Sequence, residues 1–300
     1  MLSVRHEIFL EVASQLNFSK AAKALFISQP AVSKHMKALE LYYKTTLFER
    51  KGNEIKLTQA GEILFRFLRE ARTIEKKLEF ELSTLKNQLH AKGQLKLGAS
   101  TTVALYILPK ILSAFHQSFP EVKISLLNRN TDTIVTALLE QDIDVGIVEG
   151  KNKISSIVYL PFMKDEVVAV CSAKSTIAKK AVLTLDELRR QPIALREQGS
   201  GTLEALKYGL KKAGVRMSEL QVGIRLAGTE ALKNFLKEDY CLGFLPKRSV
   251  VRELETGELV AVRIEKLEIT REFYFIQRRG SESDGVTRAF IRFSKMFHNQ

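Results

Sequence analysis

Between Ser3 and Leu16 the apolar positions Val4, Ile8, Val12 and Leu16 recur every four residues with Phe9 beside them, predicting an amphipathic helix. The stretch that follows, "FSKAAKALFISQPAVSKHMKALE", holds two short amphipathic segments broken at "FIS". Ser19 is placed to cap a short helix from Lys20 to Leu25, Phe26 and Ile27 to turn the chain, and Ser28 to cap the next helix. Pro30 falls in the first turn of that helix, where a backbone N–H has no partner to lose. Val32, Met36 and Leu39 then share a buried face, whereas Gln29, Ser33 and Lys37 share another, with Lys34 beside them and His35 less clearly placed.

Two short helices joined by a tight turn, the second with a polar face, predict a helix-turn-helix. Taken singly, Gln29, Ser33, Lys34 and Lys37 are ordinary solvated side chains. As a group at a helix N-terminus they make a surface for DNA, because that end favours phosphate and fits the major groove. Gln can pair with adenine and Lys can reach guanine, although no one-to-one code follows. Gly52-Asn53, between extended runs Leu47–Arg50 and Ile55–Leu57, signals a hairpin. Arg50, Lys51 and Lys56 on such a wing would lie near phosphate or the minor groove.

From Thr58, a plausible helix cap, no proline interrupts the chain as far as Leu89. Leu64, Phe67, Ala71, Ile74, Leu78, Leu82, Leu85 and Leu89 form a heptad seam with one four-residue stutter. A helix of that length is a rod of roughly 48 Å at about 1.5 Å per residue. Its narrow stripe suits pairing with a second helix better than packing on its own domain. "HAKGQ", residues 90–94, ends the rod and makes a natural hinge.

Beyond Gly93 short apolar runs alternate with helical ones, from "QLKLGAS" through "VKISLLN", "DVGIVEG", "EVVAVCS", "PIALRE" and "QVGIRL" to "CLGFLP". The intervening helices are "ALYILPKILSAFHQSF", "TIVTALLEQ", "LEALKYGLKKAG" and "EALKNFLKE". This alternation predicts parallel or mixed sheets covered on both faces, an α/β arrangement. Runs near 158–166 and 262–270 would join two such halves. Ligands of open α/β sheets sit beyond the carboxyl ends of the strands, often at helix N-termini. Three stretches qualify: Ser100, Thr101 and Thr102; Asn130 and Thr131; and Gly199-Ser200-Gly201-Thr202. Their hydroxyls and backbone N–H groups suit a carboxylate, sulfate or phosphate-like group, with Arg196 as an added charge. Ser and Thr also cap helices everywhere, so the residues alone leave this site open.

Composition narrows the partners. The net charge of +13 favours a polyanion. Residues 1–92 hold 16 basic and 10 acidic side chains against 31 and 24 in residues 93–300, so the N-terminal part is the more basic per residue. No apolar run approaches the roughly 20 residues of a membrane span. Glu7 and Glu11 interrupt the first apolar pattern, which excludes a signal peptide, so cytoplasm is the expected compartment. Cys171 and Cys241, far apart and without clustered histidines, provide neither a disulfide framework nor a zinc site.

"FSKAAKALFISQPAVSKHMKALE" followed by "LFERKGNEIKLTQAG" resembles the LysR-type transcriptional regulators in motif order and spacing. The resemblance covers the whole N-terminal domain, and residues 93–300 more loosely resemble the bilobal periplasmic-binding-protein-like effector domain of those regulators. It implies a multidomain α+β and α/β chain: a winged helix-turn-helix over 1–58, a dimerisation helix over 59–90 and an effector domain over 93–300. Lobe I would take about 93–162 and 267–300, and lobe II about 163–266. It implies DNA contacts by Ser28, Gln29, Pro30, Ser33, Lys34, Lys37, Arg50, Lys51 and Lys56. It further implies effector contacts at Ser100, Thr102 and Thr202, with the stretch around Thr131 nearby. No cofactor or metal is expected beyond the small-molecule effector. Double-stranded DNA and a second copy of the chain are the expected partners, with tetramers through the effector domains and RNA polymerase as further ones.

Three departures from the family pattern stand out. Lys44 takes the position of the Gly that usually ends the recognition helix, Asn53 that of a second wing Arg, and Leu203 that of a basic residue after the cleft Thr. Two rival functions remain. In one, the C-terminal half only assembles the protein. In the other, it is an enzyme acting on an acidic or phosphorylated substrate. Against the enzyme, His116 and His298 lie away from the cleft stretches, and Glu149, Glu197 and Glu230 follow strands or open a helix without a catalytic motif.

Overall fold

The computed structural model describes residues 2–51, 54–86, 91–150, 154–180, 182–281 and 285–298. The chain divides into two compact units, Met1–Leu85 and Lys86–Gln300.

The first unit contains α1 (Val4–Gln15), α2 (Phe18–Ala24), α3 (Gln29–Tyr43), the strands β1 (Phe48–Lys51) and β2 (Glu54–Leu57), and most of α4 (Gln59–Lys86). Its core joins Phe9 and Val12 of α1, Ala21 and Ala22 of α2, Val32, Met36 and Leu39 of α3, and Leu68 of α4. The cap of α2 differs from expectation: Asn17, not Ser19, accepts from the Lys20 N–H, so the helix begins two residues earlier. Asn ranks with Ser as a cap, and Asn17 already holds the extended backbone a cap requires. Ser28 caps α3 as its position predicts, with Pro30 in the first turn. At the other end Lys44 adopts a left-handed conformation, φ +52°, to close the helix.

β1 and β2 form an antiparallel hairpin with Phe48 opposite Leu57 and Arg50 opposite Ile55. The expected turn at Gly52-Asn53 lies outside the described residues. Glu40 of α3 accepts from the backbone N–H groups of Leu47 and Phe48, tying the hairpin to the third helix. Thr58 caps α4, its hydroxyl accepting from Gly61 at 3.0 Å. Gly61 is required there, because a Cβ would lie 2.1 Å from the Leu47 carbonyl oxygen. The seam expected from Leu64 onward begins later. Leu64, Phe65 and Leu68 pack on the unit's own core, whereas Phe67, Ile74, Leu78 and Leu82 are all more than half exposed. The Leu85 side chain and Leu89 lie outside the description.

In the second unit β3 (Gly93–Ser100), α5 (Thr101–Tyr106), α6 (Leu108–Ser118), β4 (Val122–Arg129), α7 (Thr131–Leu139) and β5 (Val145–Glu149) build the first half. The long β6 (Ile157–Ser172) leads into β7 (Val182–Leu183), α8 (Leu185–Arg189), β8 (Pro192–Arg196), α9 (Gly201–Lys212), β9 (Gln221–Leu226), α10 (Thr229–Glu238), β10 (Leu242–Pro246), α11 (Val251–Glu255) and β11 (Leu259–Ile264). β12 (Ile269–Arg278) returns and α12 (Val286–His298) ends the described chain. The helix expected to run unbroken from Ala104 is two helices, broken at Ile107, because Pro109 denies the backbone an N–H donor.

The sheet order is β4-β3-β5-β12-β6-β10-β8-β9, with β11 added along β6. β3 pairs in parallel with β4 and β5, and β8 in parallel with β9 and β10, so each half places its first strand between its second and third. β12 runs antiparallel to both β5 and β6, and β10 antiparallel to β6. Two parallel halves are therefore joined by two antiparallel crossing strands. The first half's core gathers around Ile134, Leu138 and Ile276, and the second's around Leu195, Leu206 and Phe244. Because each parallel half winds from a central strand, the carboxyl ends of its strands open onto a crevice.

Replacing Lys44 by Gly removes a side chain from the left-handed region and is expected to stabilise the first unit by about 0.5–1 kcal/mol. Hydrogen exchange of the α3 amides in urea measures this directly. Unchanged protection would mean that Lys44 carries no strain.

Candidate functional site

The first candidate surface is the N-terminal part of α3 with the hairpin. Ser28 is committed to the helix through its bond from the Ala31 N–H at 3.3 Å. Gln29, Pro30, Lys34 and Lys37 are exposed, and Ser33 and His35 are half-buried. Gln29 Nε2 donates to Ser33 Oγ at 3.0 Å, one helical turn away, which orients both polar groups along one face. Lys56 on β2 is exposed and lies 3.5 Å from Glu54. The side chains of Arg50 and Lys51 lie outside the description, as does Asn53. Phe26, placed only as a turn residue by its sequence, stands in the left-handed region at φ +56° and is 96% exposed.

The second candidate site is the crevice between the halves of the second unit. Ser100 ends β3, Asn130 precedes α7, Glu149 ends β5, Arg196 ends β8 and Ser200 precedes α9. Ser100, Thr101, Thr102, Asn130, Thr131, Arg196, Ser200 and Gly201 together line one recess, and Glu149 is its acidic member among the described residues. The recess is pinched so that no water-sized sphere fits. Gly199 borders it, with Asp132 and Asn130 facing its α-carbon at φ +76°. Asn130 caps α7 by accepting from the Thr133 N–H, and its Nδ2 donates across the crevice to the Gln198 carbonyl.

Thr102 and Thr202 meet a residue whose role the sequence did not reveal. Arg271, in β12, is buried and donates all five of its N–H groups. Nε and Nη2 reach Asp165 at 2.9 and 2.7 Å; Nη1 reaches Glu149 at 3.0 Å and Thr202 at 2.9 Å; Nη2 also reaches Thr102 at 3.1 Å. Arg271 and Asp165 face each other across the β12–β6 pairing, and Arg248 holds the other oxygen of Asp165 at 3.0 Å. Two guanidinium groups thus face two carboxylates, Arg271 from a buried position and Arg248 from an exposed one. The available signal was an Arg and an Asp on the inward phase of otherwise apolar strands: Ile269, Arg271 and Phe273 are buried in alternation, as are Met163, Asp165 and Val167.

Arg196, expected as an added charge for a ligand, is itself ion-paired, with three of its five N–H groups engaged. Its guanidinium grips Glu197 through two bonds of 2.8 and 2.9 Å and donates to Thr229 at 2.7 Å. Burial pushes the Glu197 carboxyl up, but these bonds and the adjacent positive charge outweigh it and hold the group below the usual carboxylate range. Leu203 is buried in the core of the second half and points no charge into the crevice. Ser100 Oγ, by contrast, is buried in the recess and has no hydrogen-bond partner among the described residues. On the far side of the crevice Tyr106 of α5 donates to Glu230 of α10, and Lys233 lies between Glu230 and Glu253 at 3.0 Å from each.

A larger hollow, of about 740 Å³, lies elsewhere, between β6, β11 and the segment before β12. Its walls include Phe244 and Leu267, with Lys212, Lys247 and Lys266 among the basic lining residues. Among the described residues no cluster of three His, Cys, Asp or Glu side chains could hold a metal ion, and no helix is long and apolar enough to cross a membrane.

Known proteins share both halves of this arrangement. Residues 89–297 match the LysR substrate binding domain, and residues 5–62 match the bacterial regulatory helix-turn-helix protein, lysR family. The chain belongs to the LysR family: it is a DNA-binding transcriptional regulator with an effector-binding domain. It is 26% identical over 287 residues to the HTH-type transcriptional regulator CysL of Bacillus subtilis (strain 168), covering 96% of this chain and 94% of that protein. Its fold is similar to that of full-length CbnR, solved complexed with its target DNA, at 21% identity and TM-score 0.65 over 99% of both chains. The regulatory domain of CcmR from Synechocystis PCC6803, solved in complex with 2-PG, is similar at 24% identity and TM-score 0.62 over 69% of this chain and 97% of that one.

Arg271→Met should destabilise the second unit by about 3–5 kcal/mol, since it leaves Glu149 and Asp165 buried without their shared partner. Hydrogen exchange of the β6 and β12 amides in urea measures the loss. Wild-type protection would mean that the network contributes little to holding the crossing strands.

Proposed function

We propose that this regulator reads DNA with the N-terminal face of α3 and senses a small anion in the crevice of its second unit. The observation that carries the anion reading is Ser100 Oγ, a buried hydroxyl without a partner among the described residues, in a recess bordered by the N-termini of α7 and α9. A positive helix end, free backbone N–H groups and an unspent hydroxyl suit an oxyanion of carboxylate, sulfate or phosphate type. The 2-PG complex of the CcmR domain supports a small-molecule site in an effector domain of this fold. Thr102 and Thr202 accept from Arg271, which leaves each hydroxyl proton able to turn toward a ligand.

In this reading Gln29, Ser33, Lys34 and Lys37 approach base edges. Ser28 and Pro30 set the helix entry, and Arg50, Lys51 and Lys56 contact phosphate. Phe67, Ile74, Leu78 and Leu82 of α4 make an apolar stripe that a second copy of the chain covers, giving a dimer with two reading heads. Effector domains then pair dimers into a tetramer. The domain limits follow the roles: DNA reading over 1–58, pairing over 59–90, sensing over 93–300. An anion that binds one arrangement of the two lobes better than another shifts their equilibrium, and with it the spacing of the reading heads. The function needs no chemical step by the chain.

Ser33→Ala and Lys34→Ala should each abolish specific operator binding while the dimer stays folded. Footprinting on sites selected from random DNA tests this, and wild-type footprints from both variants would move the reading surface elsewhere. For the crevice, sodium sulfate should raise the thermal midpoint of the full-length protein relative to sodium chloride at equal ionic strength. Ser100→Ala should remove most of that shift; a shift of undiminished size would place the anion outside the recess.

A further inference from the structure

We infer that Glu149 is a tethered carboxylate that occupies the effector cleft in place of an anion, so that an anionic effector enters by displacing it. The inference deepens the anion reading above and rests on it. Glu149 ends β5 at the floor of the crevice and is buried. One carboxylate oxygen accepts from Arg271 Nη1 at 3.0 Å and the other from Thr131 Oγ1 at 2.7 Å. Those two donors are the kind an incoming oxyanion would use, and Glu149 uses both. Lobe II closes on the same group: a Cβ on Gly201 would lie 2.6–2.7 Å from Glu149 side-chain atoms, so only glycine lets α9 start there. A side chain from lobe I therefore fills the space against the start of lobe II, and the recess that remains admits no water-sized sphere.

Charge accounting leads to the same conclusion. With Glu149 in place, the one buried guanidinium, Arg271, already faces two buried carboxylates, Glu149 and Asp165, with Arg248 reaching Asp165 from a more exposed position, and Arg271 has no N–H left for a ligand. An added anion would lie against the Glu149 carboxylate at short range in a partly desolvated site, where like charges repel strongly. It is accommodated when Glu149 swings away and the anion takes over its bonds from Arg271 and Thr131. The closed cleft is then held by the protein's own carboxylate. Effector binding exchanges an internal anion for an external one, and the contact from Glu149 to the start of lobe II is broken in the exchange. Differential contact of this kind is what a ligand needs to shift a two-state equilibrium.

The experiment is calorimetric titration of sodium sulfate into the full-length protein at constant ionic strength, using wild type, Glu149→Gln and Asp132→Asn. Glu149→Gln keeps the shape and removes the competing charge. Asp132→Asn removes a charge from the same rim, beside Gly199, without touching Arg271. The expected result is sulfate affinity about tenfold or more tighter in Glu149→Gln and changed less than about threefold in Asp132→Asn. Equal affinity in wild type and Glu149→Gln overturns the displacement while leaving an anion site in place. Equal gains in both variants overturn it as well, since the effect is then general electrostatics. Sulfate binding to none of the three proteins overturns the anion reading and this inference with it. A sulfate-soaked crystal of the wild type supplies an arm that needs no variant. Glu149 turned off Arg271 with sulfate in its place supports the exchange, and sulfate beside an intact Glu149–Arg271 pair overturns it.

Discussion

A guanidinium buried between two lobes cannot be left with unused donors, and that requirement at Arg271 organises the second unit. Its five N–H groups go to a carboxylate on β6, a carboxylate at the end of β5, and one threonine at the start of a helix on each side of the crevice. Desolvating such a charge is costly, and only a complete set of partners offsets it. Moving one lobe away from the other removes Thr102 or Thr202 from the set, so the relation of the lobes is coupled to the hydrogen-bond count of a single side chain. Phe273 reinforces the arrangement from below, its ring 4.9 Å from the guanidinium carbon.

The first unit depends on smaller and more local terms. Ser28 and Thr58 each cap a helix, Asn17 caps a third, and Glu40 holds the hairpin to α3. Each contributes on the order of 1 kcal/mol. Together they set the angle at which α3 and the hairpin present their exposed polar residues. Lys44 in the left-handed region works against this sum, a residue tolerated where Gly would cost less. The stripe of Phe67, Ile74, Leu78 and Leu82 on α4 is exposed, whereas Leu64, Phe65 and Leu68 of the same helix pack on the unit's core.

A regulator needs a site whose occupation changes something else, and the crevice has the physical means. Its lining comes from both lobes, its floor is a hydrogen-bonded charge network, and hydrogen bonds around the gap include Arg271 with the two threonines, Asn130 with Gln198, and Tyr106 with Glu230. A ligand that replaces one of these bonds alters the balance of the rest. Coupling by a few kcal/mol is of the size that effectors commonly exert.

The residues alone were enough for the helix-turn-helix, the hairpin, the long helix and the alternation of strands and helices. Each rests on spacing within one or two turns: Ser28 before Pro30, Val32-Met36-Leu39 on one face, Thr58 ahead of an unbroken apolar period. The positions of Ser100, Asn130 and Ser200 at strand ends were legible for the same reason. Tertiary structure alone decided what those strand ends face. Arg271 lies 106 positions from Asp165, 122 from Glu149 and 169 from Thr102, and no local pattern links residues so far apart. It also decided that Arg196 is spent on Glu197 and Thr229, and that Glu149, unremarkable by motif, sits at the centre of the cleft. Caps and amphipathic faces are set by the chain's next few residues. The partners of a buried charge are set by whichever strands the fold brings alongside it.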